Sequence, residues 1–250
     1  MSDLKIQNLT KYIIDKKMQS GVAVIYEASA TFKSNQINVI LGPSGCGKTM
    51  LLKAICGLEA IDEGHIYFGD EEITNVEAKK RGFSYLSQNY ALYPHLTVFD
   101  NVAYPLRLQK IEDEELRRRV RETLKFLNIE HLSSKKPKQL SGGQCQMVAI
   151  ARSIIKHPRL ILLDEPLSNI DMQSRQLFIE TFKKIRNEYH TTMIYVTHAL
   201  REAYQLADYI VIMDNGTIVE EGPIEALLSD KNSILVKDYV EVTSDVNLSS

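Results

Sequence analysis

The chain has 250 residues, 44% of them hydrophobic and 25% charged, the balance of a soluble globular protein large enough for one α/β domain or a core carrying a smaller lobe. With 30 Lys and Arg against 32 Asp and Glu, the formal net charge of −2 gives no general attraction to nucleic acid or acidic lipid. No apolar run has the length to cross a bilayer, and Met1 to Lys5 lack the apolar core of a secretion signal, so a cytosolic location is expected, with any membrane attachment made through a protein partner.

The first forty residues alternate in the manner of strands: Leu4 and Ile6, then Val22 to Phe32, then Ile37 to Leu41. Gly42-Pro43-Ser44-Gly45-Cys46-Gly47-Lys48-Thr49 follows and runs into a helix-like stretch, Met50 to Cys56, that stops at Gly57. Glycine, four residues, then Gly-Lys-Thr, placed between strand and helix, is the phosphate-binding loop pattern. Its small residues let backbone N–H groups close around a β-phosphate while the helix points its positive end at the same charge. Lys48 is expected to bridge β- and γ-phosphates, and the Thr49 hydroxyl to bind Mg²⁺. Cys46, Cys56 and Cys145 have no metal-like spacing and read as reduced thiols.

A strand-like Phe83 to Ser87 leads to Gln88 and then to residues 89–106, rich in aromatics and proline for a surface loop, a composition suited to being covered by a partner. From Thr97 to Asn128 the pattern turns helical, with Leu116, Val120, Leu124 and Leu127 on one face. Arg117, Arg118, Arg119 and Arg121 lie mostly on the others, and the acids around them make this a solvated face rather than a nucleic-acid patch. The pattern implies a helical lobe inserted into an α/β core.

Leu140-Ser141-Gly142-Gly143-Gln144 opens another helix: hydroxyl, glycine N–H groups and a helix N-terminus make a second candidate anion site. Leu160 to Leu163 is an unbroken apolar run, typical of a strand covered on both faces, and it ends in Asp164-Glu165. Ligands of open α/β sheets sit beyond the carboxyl ends of strands, which places Asp164 to hold Mg²⁺ and Glu165 to orient or deprotonate an attacking water. Two further strands, Thr192 to Val196 and Tyr209 to Met213, precede His198 and a hairpin turn at Asp214-Asn215-Gly216. The tail from Ser229 is polar and reads as partly loose.

Leu-Ser-Gly-Gly-Gln standing before the Asp-Glu strand resembles the signature of ABC ATPases, and the resemblance extends from about Leu4 to Leu228. It implies a P-loop NTPase fold, a RecA-like core with an N-terminal antiparallel β-subdomain. The core would span about 1–88 and 158–230, the helical subdomain about 89–157, and a tail 231–250. It further implies that ATP is sandwiched between the phosphate loop of one copy and Ser141, Gly142, Gly143 and Gln144 of a second, in a head-to-tail dimer.

In that resemblance Gln88 senses Mg²⁺ and water, His198 contacts the γ-phosphate, Asp171 belongs to a loop crossing the dimer interface, and Tyr12 stacks on adenine, with Tyr26 the competing aromatic. The 89–106 segment is similar to that of bacterial importer ATPases of the sugar, polyamine, iron and phosphonate groups. There it receives a membrane permease, and a solute-binding protein joins some complexes. The other class that fits is a non-transport ABC ATPase acting on DNA or ribosomes, but the long coiled coil or tandem cassettes of those proteins are missing here. Two positions depart from the pattern: Cys145-Gln146-Met147 stands where Gln-Gln-Arg or Arg-Gln-Arg is common, and Ala199 where many relatives have Asp.

Overall fold

The structure, a computed structural model, describes residues 2–15, 20–88 and 90–237. In chain order, β1 (Leu4–Asp15), β2 (Ser20–Phe32) and β3 (Ile37–Leu41) lead to α1 (Lys48–Cys56), followed by β4 (Glu63–Phe68), β5 (Glu71–Glu72) and the short α2 (Ala78–Arg81). Then come β6 (Phe83–Leu86), α3 (Val98–Leu108), α4 (Asp113–Phe126), α5 (Gly142–Ile154), β7 (Leu160–Asp164) and α6 (Met172–Tyr189). Next are β8 (Thr192–Thr197), α7 (Leu200–Leu206), β9 (Tyr209–Asp214), β10 (Thr217–Pro223) and α8 (Ile224–Ser229). The chain forms two compact units, Met1–Arg81 with Thr192–Ser250, and Gly82–Thr191.

The first unit holds an antiparallel sheet of order β2-β1-β4-β5 and a run of strands in the order β10-β9-β3-β8. β3 is parallel to both neighbours, with Ile37 opposite Met193 and Asn38 opposite Tyr209. All five of its residues are buried, as an apolar run covered on both faces requires. Asn38, the polar member, is wholly buried yet satisfied: its Oδ1 accepts from Lys33 N, and its Nδ2 donates to the carbonyls of Lys33, Gln36 and Met193. β9 and β10 close through Asn215 (φ 44°) and Gly216 (φ 83°), a two-residue turn with both residues left-handed, as the sequence predicts.

The second unit pairs β6 and β7 in parallel, Phe83 against Leu160 through Leu86 against Leu163. Leu116, Val120, Leu124 and Leu127 are all buried, while Arg118 is exposed and bound to Glu115 and Glu122, which is the solvated face expected of the arginine run. Two hydrogen-bonded arginines, Arg118 and Arg119, pull the Glu115 carboxyl down to about 2.

The start of the tail is anchored at two residues: Ser233 and Leu235 are buried, and the Glu220 carboxylate accepts from the Ser233 hydroxyl and the Leu235 N–H. A polar stretch can be anchored by one carboxylate of a neighbouring strand, which composition does not reveal. Met1, Asn89 of the 89–106 segment, and 238–250 of the tail lie outside the described residues.

Candidate functional site

The phosphate loop leaves the carboxyl end of β3 and enters α1, whose N-cap is Gly47 at φ 103° with no side-chain cap. Two glycines are demanded by neighbours. A Cβ on Gly42 would lie 2.1 Å from the Met213 carbonyl oxygen, and one on Gly47 2.5 Å from that of Val24, so the loop is pressed between β9 and β2. Lys48 is buried, its Nζ donating to the carbonyls of Gly42 (2.9 Å) and Pro43 (2.7 Å) and lying 3.8 Å from the Cys46 sulfur. The cation is thus held inside the loop, while Pro43, Ser44, Gly45 and Thr49 form an exposed lip. Burial pushes the Cys46 thiol up despite the neighbouring ammonium, so it stays protonated.

The far end of α1 is fixed as firmly. Gly57 closes it in left-handed conformation, and the buried Arg81 guanidinium donates to the last carbonyls, Ala54 and Ile55. A cation at a helix C-terminus is favourable, so both ends of the helix behind the loop are held. Arg81 is a positioning residue that sequence pattern did not single out.

His198 follows β8 and is exposed. It shares a cavity of about 360 Å³ with Gly42, Pro43, Asp214 and three apolar side chains, so the structure brings the loop and the histidine together. The turn carrying it is set by buried Glu202 of α7, whose Oε2 accepts from the hydroxyls of Tyr195 (2.8 Å) and Thr197 (2.9 Å). Of the two candidate aromatics, both exposed, Tyr26 is the one tied to the loop: its N–H donates to Gly216 O, and Gly216 N–H to Cys46 O. Tyr12 sits on β1, with its N–H on the Asp62 carboxylate.

In the second unit, Asp164 ends β7 nearly buried, and the Tyr85 hydroxyl donates to its Oδ2 at 2.8 Å. Tyr85 lies opposite Leu162, and Leu162 shares a face with Asp164, so strand parity brings the phenol to the carboxylate. The register was the missing signal. Glu165 adopts φ 44°, a left-handed conformation unusual for glutamate. Its carbonyl accepts from the Ser168 hydroxyl, which in turn accepts from Gln88 Nε2 at 3.2 Å. Ser168 therefore joins Gln88 to the turn carrying Glu165, a link that spacing alone could not give. Asp171 caps α6 through the Ser174 N–H, and hydrogen bonds from Ser174 hold its carboxyl below the ordinary range.

The signature residues open α5 as a reciprocal capping box: Ser141 Oγ accepts from Gln144 N–H, and Gln144 Oε1 from Ser141 N–H. A Cβ on Gly142 would meet open space, and one on Gly143 would lie 3.8 Å from the Phe178 ring. Behind them a cavity of about 410 Å³ includes Phe126, Phe178 and Met147 in its walls, so the position where an arginine is common carries an apolar side chain here. Gln146, fully buried, donates to the Pro166 carbonyl and ties α5 to the segment after Glu165.

Among the described residues no group of three or more His, Cys, Asp or Glu could hold a metal. The Thr49 hydroxyl is exposed at the head of α1, and in the second unit the Asp164 carboxylate ends β7. Hydroxyl and carboxylate are each a hard-oxygen donor of the kind Mg²⁺ takes.

Comparison with known proteins bears on family and fold. The family described as ABC transporter matches residues 25–168, more than half of the chain. A molybdate/tungstate import ATP-binding protein of Pyrococcus horikoshii is 42% identical over 230 residues, covering 92% of this chain and 65% of that protein. A spermidine/putrescine import ATP-binding protein of Haemophilus influenzae is 40% identical over 225 residues, covering 90% and 60%. The sn-glycerol-3-phosphate import ATP-binding protein of Psychromonas ingrahamii is 39% identical, covering 96% and 63%. The chain thus spans less than two thirds of the length of these curated relatives.

Among solved structures, the dimeric bacterial ABC transporter cassette MJ0796 superposes with a TM-score of 0.79 at 29% identity, covering 88% of this chain and 98% of that one. The same cassette in a post-hydrolysis state bound to ADP and Pi matches equally well. The fold is accordingly the P-loop NTPase cassette expected from the motifs, and the chain belongs to the ABC transporter family.

Proposed function

We propose that the chain is the ATP-binding and ATP-hydrolysing subunit of an ABC importer, paired head to tail with a second copy at the inner face of the cell membrane and powering solute passage through a separate permease. The observation that carries the reading is the phosphate loop, with Lys48 held inside it and α1 opening on a glycine without a side-chain cap. The import ATP-binding names of the similar proteins support it, and so does the dimeric state of the similar cassette.

In this reading residues 42–49 grip the β- and γ-phosphates, Lys48 leaves its loop carbonyls for phosphate oxygens, and Tyr12 or Tyr26 stacks on adenine. Thr49, Asp164 and Gln88 hold Mg²⁺, which neutralises charge on the phosphate oxygens when bound. Glu165 takes a proton from the attacking water as its oxygen bonds the γ-phosphorus and the bond to the ADP oxygen breaks, with His198 on the γ-phosphate. Ser141, Gly142, Gly143 and Gln144 of the second copy, with Asp171 nearby, complete the site. Residues 89–157 act as the helical subdomain between core segments 1–88 and 158–230. Within it the 89–106 segment receives the permease, to which a solute-binding protein delivers cargo. Nucleic acid is not a partner.

The test is Glu165→Gln, which keeps the shape of the side chain and removes its basicity. Phosphate release should fall by about 10²–10⁴-fold, while Mg-ATP still binds and draws two copies into a dimer visible by light scattering. Near-normal hydrolysis in this variant would overturn the assignment of Glu165 as the base.

A further inference from the structure

Tyr90 and Ala91 are held in a conformation they would not choose. Tyr90 (φ 57°) and Ala91 (φ 44°) are consecutive left-handed residues, and neither is Gly, Asn or Asp. The Tyr90 hydroxyl is buried without a hydrogen-bond partner, and burial, with the Cys145 thiol of α5 adding to it, raises its pKa. Both features oppose the observed conformation, so another interaction must hold it.

That interaction comes from Arg152, in the last turn of the helix that Ser141 opens. Its NH1 donates to Ala91 O at 2.8 Å and its NH2 to Tyr90 O at 2.9 Å, so the two carbonyls displaced by the left-handed residues are both taken by one guanidinium. The same group lies 5.3 Å from the Tyr93 ring centroid, and Tyr93 packs on Tyr104 at 4.6 Å. From the other side, buried Asn101 of α3 donates to the carbonyls of Tyr93, Leu96 and Thr97 and accepts from Tyr93 N–H. Residues 93–97 are thus fastened to α3, and 90–91 to α5. Arg152 is the side chain that bonds the latter, beside the backbone bond from the Tyr90 N–H to the Ser87 carbonyl.

We propose that Arg152 is a positioning residue that makes α5 and the segment following Gln88 move as one piece, so that a displacement at Ser141 reaches the 90–106 surface. Planar geometry is what fits it for this role, since a guanidinium bonds two carbonyls and stacks on a ring at once, and an ammonium does not. That α5 is displaced by nucleotide rests on the function proposed above. The mechanical link itself does not.

Amide hydrogen exchange on the full chain separates the two. Without nucleotide, Arg152→Met should speed exchange at 90–96 by about ten- to a hundredfold, while α3 and α5 keep their wild-type rates. Unchanged exchange at 90–96 would overturn the proposal. Arg152→Lys should fall between, because it keeps the charge and one carbonyl bond. If Arg152→Met loosens the whole unit, Tyr93→Leu, which removes the ring beneath the guanidinium together with its packing on Tyr104, should still speed exchange at 90–91, the residues bonded by Arg152, and equal rates there would again count against the link.

With Mg-ATP in a Glu165→Gln background, protection at 141–146 should be accompanied by protection at 90–96 when Arg152 is present, and should persist alone in Arg152→Met. A response at 90–96 that survives the loss of Arg152 would refute the coupling. Silence at 141–146 in both proteins would instead sink the nucleotide reading, leaving the nucleotide-free comparison to decide the link.

Discussion

The helices α1 and α5 both open at glycine, and both are candidates to meet phosphate, yet their first turns are finished in opposite ways. α1 begins at a left-handed Gly47 with no side-chain acceptor, and Lys48 brings a cation into the loop. α5 begins at Ser141 and is sealed by its own capping box with Gln144. The first is therefore built to take an outside anion as the natural acceptor for its opening turn. The second already has two of its opening donors, the Ser141 and Gln144 N–H groups, engaged, and has to trade the Ser141–Gln144 bonds if those two are to meet phosphate oxygens. Strong standing affinity at one end and conditional affinity at the other is what a site assembled from two surfaces needs, because a pre-opened second surface would capture phosphate alone.

The largest effect that would break this comparison is at Gly47. Replacing it by Ala forces φ 103° on a residue with a Cβ and sets that atom 2.5 Å from the Val24 carbonyl. Left-handed strain of about 1–3 kcal/mol and overpacking of about 1–3 kcal/mol give a loss of about 2–6 kcal/mol in the first unit. A urea midpoint within error of wild type would show that the loop is not pressed on β2 as described.

How much of this was legible differs between the two helix starts for a physical reason. The phosphate loop advertises itself because its backbone demands glycine, and a demand for glycine is written in the sequence. The capping box is likewise written as Ser and Gln three residues apart. The left-handed residues Asn8, Glu27, Tyr90, Ala91 and Glu165 are not, since most of these side chains do not favour that region and tertiary bonds impose it. Asn8 and Glu27 accompany register shifts in the β1–β2 pairing that alternation alone conceals. Links such as Tyr85 to Asp164 and Ser168 to Gln88 depend on which strands pair and in what register, a non-local fact. The buried strands β3, β7, β8 and β9 needed no such knowledge, because a short, mostly apolar run rich in Ile, Leu and Val has few other uses.

A smaller effect sharpens the comparison at Ser141. Ala there removes the cap and should cost about 1 kcal/mol, whereas Asp, an equally good cap, should leave the stability of the second unit close to wild type. If Ser141 donates to phosphate, the ranking reverses for function. Asp brings a carboxylate to the anion and should reduce ATP-dependent pairing more than Ala does, by light scattering in the Glu165→Gln background. Equal pairing in the two variants would mean that Ser141 is a cap and nothing more.

The smallest effect is the most discriminating. Gly142 has helical backbone and nothing within 4 Å of an added Cβ, so the fold gives no reason for glycine. Gly142→Ala should stabilise the second unit by up to about 1 kcal/mol, the reverse in sign of the same change at Gly47. A position where alanine improves the isolated protein, yet glycine is found, is one where something outside the fold approaches the backbone closely. Higher stability together with reduced ATP-dependent pairing would identify that approach as the second copy's nucleotide. Higher stability with pairing unchanged would remove Gly142 from the set of phosphate donors.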